Sequence, residues 1–551
     1  MGSFYDYYRL TTDSLGDLPV LQYKHRDHMR SELLTDVDAM ARYFARDLGL
    51  GKGDAFTLLL PTVAEGIVLF LALNRIGAVA NFVHPQTPVK ALADILDETA
   101  SRGIAVHESI AAEHAAVIRE RELPVVFCTI GTYADAGKPS APRNPDALVP
   151  YVGPRTVLYG ELVRRGGEQL EVAVAGEDVA LYLQGGGTTG ASRTIMLTND
   201  NLVSFCDIYL NSLGMTPSPG IDTSINCMPL FHCYGLFGAT LVPMCRGIRM
   251  IFMPQFDAEE FVRLMKLNHV TVIRGVPNMF AKLLENPEWD GPQLANLASV
   301  VCGGDSLSST LRGRIDYTLA KNLSRARLSQ GYGLTECCGA VMNNPADGQQ
   351  DDTIGRAFAC NRIEIWGPEH RPVPDGETGE IVVSGPTVMK GYLTKDRKSD
   401  VGVYRDESGT RWMLTGDLGY RKGEFFYFSG RRKRLIIISG HNAYPLDVEN
   451  AVRKLPFVKE SCAVQGFDEQ GKILIRLFVV CEDGTTASEA EMKSCIDEAC
   501  RQVLNRFSRP RDIRFIRELP HTHVGKVDFM KLKQVRPTDR IAVEYGSVAW
   551  E

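Results

Sequence analysis

The chain has 551 residues, more than one hydrophobic core usually supports, so at least two domains are expected. An apolar fraction of 44%, a charged fraction of 23% and a net charge of −6 describe an ordinary soluble protein, with no reason to expect nucleic-acid binding. Thirteen scattered cysteines, with no CxxC pair and no Cys/His cluster at zinc-ligand spacing, read as thiols of a reducing, cytosolic environment.

Residues Met1 to Asp6 lack the basic and apolar regions of a signal peptide, and Asp6 stands where a myristoylation pattern wants Ser or Thr. Ala55–Leu60, Val179–Leu183 and Val270–Arg274 are short, apolar and β-prone. They alternate with helical patterns over Thr35–Leu48 and Ala258–Leu267, which predicts an α/β architecture with substantial parallel sheet. The most apolar window, residues 66–83, is broken by Asn74 and Arg75. It is too short and too polar to span a bilayer, and predicts a buried helix followed by a strand. The Pro-rich stretch Pro139–Pro154 is expected to be a surface loop.

Near residue 430 the texture changes. A short strand, Phe425–Phe428, gives way to Ser429-Gly430 and the basic run Arg431-Arg432-Lys433-Arg434. Residues 431–551 hold 21 Lys and Arg against 17 Asp and Glu, a balance of +4 in a chain of net −6. The domain boundary is placed there, giving 1–430 and 431–551. The basic balance suits either an anionic cofactor or a solvated charged face.

Between two predicted strands lies Gly185-Gly186-Gly187-Thr188-Thr189-Gly190-Ala191-Ser192-Arg193. Consecutive glycines let backbone N–H groups wrap an anion closely. Thr188 and Thr189 add hydroxyl donors, and Arg193 adds a fixed charge able to fork onto phosphate oxygens. Two other motifs match formally. Gly185, Gly187 and Gly190 fit GxGxxG, but Thr194–Leu197 reads as a strand where that motif needs a helix. Gly185 and Gly190 have P-loop spacing, but Ala191 stands where that motif needs its Lys. A plain structural turn fits the loop equally well when it is taken alone.

Further motifs follow in order: Met228–Gly235 (MPLFHCYG), Gln330–Glu336 (QGYGLTE), Leu414–Asp417 (LTGD), Gly430–Lys433 (GRRK) and Leu519–Asp528 (LPHTHVGKVD). With the loop, they resemble the adenylate-forming superfamily, which includes acyl-CoA synthetases, adenylation domains and beetle luciferases. Gly51–Asp54 and Gly77–Ala80 extend the resemblance to the N-terminal part. It implies a large N-terminal domain of two α-covered β-sheets plus a distorted β-barrel, with a small α+β C-terminal domain.

The resemblance also implies roles. Lys526 bridges the substrate carboxylate and the α-phosphate or ribose. Thr335 bonds the α-phosphate, Glu336 coordinates Mg²⁺, and Tyr332, beside Gly333, lies against adenine. Asp417 accepts from the ribose hydroxyls with support from Arg431. Gly303 and Gly304 line the acyl and adenine pockets. Lys433 is the hinge of a mobile C-terminal domain, whose rotation brings the loop around Gly440 to a thiol channel. Outside the motifs each of these residues also fits ordinary packing, turns or solvated surface. His232 belongs to the substrate side. Phe231-His232-Cys233-Tyr234 offers no carboxylate to pair a substrate amine, which favours a fatty or aryl acid; a satisfied core histidine is the alternative.

The sequence departs from the family pattern at Ser192-Arg193, where Pro-Lys is usual, and Arg does not reproduce the compact geometry of an ammonium. The expected activity is that of an acyl-CoA synthetase: ATP and an acid give acyl-AMP and pyrophosphate, then coenzyme A takes the acyl group. Loading of a carrier protein or an amine, and a nucleotide-binding homologue that has lost catalysis, stand as alternatives. A cytoplasmic enzyme is expected, with no transmembrane segment; oligomeric state is unreadable.

Overall fold

The computed structural model describes residues 2–535 other than 24–25, 111, 130–144, 154, 168–169, 186–192, 212–215, 306, 346–347, 349, 351, 395–401, 439–440 and 522–526. The chain forms two compact units, one of residues 1–364 and 382–414, the other of 365–381 and 415–551. The second therefore takes in segments that precede residue 430.

The first unit holds two large sheets. One has nine strands, and its centre is parallel: Arg249–Phe252, Thr223–Asn226, Val270–Gly275, Ser299–Cys302 and Leu328–Leu334 follow one another across it. The other has eight strands. Thr156–Leu158, Val125–Cys128, Ile104–His107, Ala55–Leu59, Val79–Phe82 and Val179–Gly185 run parallel, and Arg193–Thr198 then Gly391–Tyr392 close one edge antiparallel. Parallel strands buried on both faces favour continuous apolar runs, which Val125–Cys128 (VVFC) supplies, whereas Thr223–Asn226 (TSIN) buries polar side chains as well.

The apolar window resolves as helix Ala64–Arg75, buried along its whole length, followed by strand Val79–Phe82. Among the described residues no helix is long and apolar enough to cross a membrane. Helix Ala258–Leu267 has the expected limits because Asp257 caps it, accepting from the Glu260 amide at 2.8 Å. The helix expected over 35–48 instead starts at Arg30 and ends in a π-turn, Tyr43–Asp47. The described end of the Pro-rich stretch is helical, Pro145–Leu148 then a 3₁₀ turn Val149–Tyr151, rather than plain loop. Asp6 closes a capping box with Ser3 at the head of helix Phe4–Asp13.

The second unit is α+β. Strands Val458–Phe467, Ile473–Cys481 and Asp512–Phe515 form its sheet, and helices Pro445–Val452 and Glu489–Val503 share a core with it through Val448, Val452, Ile475, Leu477 and Ile496.

Candidate active site

Strand Val179–Gly185 returns as Arg193–Thr198 in an antiparallel hairpin, with Gly185 opposite Arg193 and Leu183 opposite Ile195. The candidates Gly186, Gly187, Thr188, Thr189 and Gly190 lie outside the described residues, as does Ser192. The returning strand rules out both formal competitors, since the dinucleotide fingerprint and the P-loop each continue into a helix.

Arg193 is exposed, and its guanidinium lies over the ring of Tyr392, 5.1 Å from the centroid. Tyr392 reaches this place because Gly391–Tyr392 pairs with Met196 and Ile195 of the hairpin. Its hydroxyl donates to Glu336 Oε1 at 2.8 Å. Burial of the phenol, then the Glu336 charge, pushes the Tyr392 pKa up, so the hydroxyl stays a donor.

Thr335 and Glu336 occupy the 3₁₀ turn Thr335–Cys337, at the tip of the hairpin Leu328–Leu334 and Gly339–Asn344. Local sequence builds that tip. Cys338 takes a left-handed φ of 62°, and a Cβ on Gly333 would stand 1.9 Å from the Gly339 carbonyl oxygen. The Met389 amide donates to the Glu336 carbonyl at 2.8 Å, and the Leu393 amide donates to that of Thr194 at 2.8 Å. Segment 389–393 thus ties the Glu336 tip to the phosphate-loop hairpin. Thr335 Oγ1 donates to Cys233 Sγ at 3.5 Å, which joins the same tip to the acyl-side motif.

His232 is exposed, and its Nδ1 accepts from the Tyr234 amide at 3.2 Å. A core histidine is therefore excluded. Cys233 is buried behind it, and the Tyr234 hydroxyl donates to the carbonyls of Val301 at 3.0 Å and Gly275 at 3.3 Å. Gly303 follows strand Ser299–Cys302 against the Tyr234 ring, where a Cβ would lie 3.6 Å from Cζ, and Gly304 turns the chain with φ 81°. Tyr332 is half-buried and Gly333 exposed on the hairpin beside Thr335.

In the second unit Asp417 faces Arg431 across antiparallel strands, with Nε 3.2 Å from Oδ1. Asp417 is 7% exposed, whereas Arg431 is exposed, so the carboxylate is the anchored partner. Gly416, at φ 72°, turns the chain ahead of it, and the Asp417 amide donates to Thr415 Oγ1 at 3.0 Å. Glu380 accepts from the Gly416 amide at 2.7 Å and pairs with Arg432. Lys433 is exposed in the 3₁₀ turn Arg432–Arg434. Gly440 and Lys526 lie outside the described residues. The residues that bracket the lysine, His521 and Val527, form an antiparallel bridge, and Asp528 caps helix Phe529–Lys533.

The first unit thus gathers Arg193, Glu336, Thr335, His232 and Gly303, and the second gathers Asp417 and Arg431. Tyr392 was not among the sequence candidates. Its only local signal is a Gly-Tyr step before a polar run; its role comes from sheet pairing with residues far away in sequence.

Two large, mostly parallel sheets with antiparallel strands at their edges define an α/β fold. The profile of the AMP-binding enzyme family matches residues 11–393, and that of the AMP-binding enzyme C-terminal domain matches residues 447–526. The chain belongs to the AMP-binding enzyme family. Among curated relatives, the long-chain-fatty-acid–CoA ligase of Escherichia coli O6:H1 is 27% identical over 500 residues, covering 89% of this chain and 86% of the relative. The feruloyl-CoA synthase of an Amycolatopsis species is 32% identical over 380 residues, 67% of this chain and 72% of the relative. Of solved structures, ATP-bound MatB from Rhodopseudomonas palustris superposes with a TM-score of 0.82 at 24% identity, covering 97% of this chain and 99% of that one.

Proposed function

We propose that this protein is an AMP-forming acid–thiol ligase. It activates a carboxylic acid, fatty or aryl, with ATP as an acyl-adenylate, then passes the acyl group to coenzyme A and releases AMP. One observation carries the reading: Arg193, Tyr392, Glu336, Thr335 and Cys233 form a continuous line of contacts that joins three separate motifs. The acyl-CoA ligase relatives along the chain support the same chemistry.

Adenylation brings a carboxylate to the α-phosphorus, so two anions must meet and the protein must supply cations and donors. Arg193 supplies a guanidinium at the mouth of the phosphate loop, with Tyr392 fixing its plane. Thr335 supplies a hydroxyl toward the α-phosphate, and His232 stands exposed on the acid side. Asp417, held by the Thr415 turn, accepts from the ribose hydroxyls beside Arg431. Lys526 carries the charge that bridges carboxylate and phosphate, and Lys433 is the hinge on which the small domain, from about residue 430, turns to present it.

Among the described residues no group of three or more His, Cys, Asp and Glu side chains is placed to hold a metal. Mg²⁺ needs no such cage, because one carboxylate, phosphate oxygens and waters complete its shell. Glu336 fits that need, since Tyr392 engages Oε1 and not Oε2. When bound, Mg²⁺ neutralises charge on the triphosphate. The thirteen cysteines, none of them in a disulfide, support a cytoplasmic setting.

Acid-dependent pyrophosphate release over a broad panel of acids tests the first step, and mass detection of the thioester tests the second. No release with any acid rejects the reading. Release with acyl transfer to a holo-carrier protein but not to coenzyme A keeps the first step and changes the acceptor.

A further inference from the structure

His84 follows strand Val79–Phe82 of the eight-stranded sheet, and the Val83 amide extends that strand's pairing by donating to the Leu58 carbonyl at 3.1 Å. On its other side the strand pairs in parallel with Val179–Gly185, Phe82 opposite Leu183. The same register, carried on by two residues, sets His84 level with Gly185, where the phosphate loop begins. The His84 ring also meets Phe231 of the acyl-side motif, with ring centroids 4.3 Å apart. Thr62, just past the neighbouring strand Ala55–Leu59, donates to the Met228 carbonyl at 3.2 Å and holds that motif to the same edge.

His84 therefore stands between the foot of the phosphate loop and the acyl motif. This is the carboxyl end of a parallel array, where α/β sheets bind their ligands. His84 and Phe231 are half-buried and His232 is exposed, so a ligand reaches these rings from solvent.

The backbone fixes the chemistry of the ring. The Gln86 amide donates to His84 Nδ1 at 2.9 Å, so Nδ1 presents its lone pair and the proton of the neutral ring sits on Nε2. His232 repeats the device with the Tyr234 amide at 3.2 Å. Two imidazoles, one touching Phe231 and one next to it in sequence, are thus both set as Nε2–H donors. In this tautomer neither is a base, and both suit an anionic oxygen.

We propose that His84 is a further substrate-binding residue, whose Nε2–H donates to the carboxylate oxygen that does not attack the α-phosphorus. The proposal rests on the ligase reading and adds a residue to its site. In adenylation one carboxylate oxygen bonds to phosphorus and pyrophosphate leaves with the electrons of the broken P–O bond. The other oxygen becomes the carbonyl oxygen of the acyl-adenylate. In the second step the thiol sulfur bonds to the carbonyl carbon, its proton passes to solvent and AMP leaves. Negative charge gathers on that same carbonyl oxygen, and a donor already placed there stabilises it. One hydrogen bond serves both half-reactions.

The test compares the native enzyme with His84→Phe, which keeps a ring against Phe231 and loses the donor, and His84→Gln, whose amide N–H reaches as far as Nε2. Pyrophosphate release is measured against acid and against ATP, and thioester formation is measured from preformed acyl-adenylate. His84→Phe is expected to raise KM for the acid about tenfold, the worth of a hydrogen bond to a charged group, and to slow thioester formation by a similar factor. KM for ATP is expected to stay near the native value, and His84→Gln is expected to recover most of both losses. Native kinetics in His84→Phe would reduce the histidine to a packing ring and overturn the proposal. A rise in KM for ATP alone would move the contact to the nucleotide and overturn it as well. Should His84→Phe fail to fold, equal kinetics of His84→Ala and His84→Gln overturn it. If the native enzyme releases no pyrophosphate with any acid, the ligase reading fails and takes this proposal with it; if it does release pyrophosphate and His84→Phe matches it, this proposal alone fails.

Discussion

Tyr392 donates to the Glu336 carboxylate at 2.8 Å while its ring carries the Arg193 guanidinium 5.1 Å from its centroid. One side chain therefore sets the position of both charged groups. A hydrogen bond to a charged partner contributes about 1.5–3 kcal/mol, and this half-buried site belongs at the low end. Tyr392→Phe keeps the ring and loses the hydroxyl, so kcat/KM for pyrophosphate release should fall about tenfold, with a higher Mg²⁺ concentration at half-maximal rate. Tyr392→Ala loses the stacking as well and should also raise KM for ATP. A Phe variant with native Mg²⁺ dependence removes the hydroxyl from the mechanism.

Lys526→Ala separates the two half-reactions. Groups that stabilise developing charge are worth about 3–4 kcal/mol in comparable sites, so adenylation should drop roughly hundredfold or more. Under the proposed hinge role of Lys433, thioester formation from preformed acyl-adenylate should survive largely intact, since that step would not use the lysine. Equal loss in both assays contradicts domain alternation.

Asp417 is 7% exposed and stands in a turn fixed by Thr415, which would hold its carboxylate in place for the ribose in the proposed role. Asp417→Asn should raise KM for ATP about tenfold, the worth of a charged hydrogen bond. The native enzyme should discriminate against 2′- and 3′-deoxy-ATP, and the variant should discriminate less. Unchanged discrimination would place the ribose elsewhere.

Much of the fold was legible because it rests on local patterns. Ala258–Leu267 combines an apolar stripe with an Asp cap, and Val179–Leu183 is a continuous apolar run. The start of helix Arg30–Arg42 was not, since Met29 occupies the cap position and the cap comes from Glu32, whose carboxylate accepts from the Met29 amide at 3.0 Å. The nucleotide and acyl motifs were legible as short strings. Tyr392 was not, because it acquires meaning from a sheet neighbour, Ile195. Strand pairing over long sequence distances leaves no periodicity to read.

One buried and one half-buried group give opposite pH slopes, one in each unit. His107 is 3% exposed with Nε2 unpartnered, and burial pulls its pKa from 6.5 down to about 4. The unfolded chain binds a proton between these values and the folded chain does not, so stability present above about pH 6.5 is lost as pH falls toward 4. Each pKa unit is worth about 1.4 kcal/mol, so this term approaches about 3 kcal/mol at the acid end. Asp447 behaves in reverse. Burial raises its pKa from 3.8 to about 6, so stability present below 3.8 is lost as pH rises through 6. Urea midpoints measured from about pH 4 to pH 7 test both. His107→Gln should flatten the decline on the acid side, and Asp447→Asn should raise the midpoint near pH 7 but not near pH 4. An Asp447→Asn midpoint that is unchanged at neutral pH means the carboxylate is solvated in the folded unit, and its burial does not govern stability.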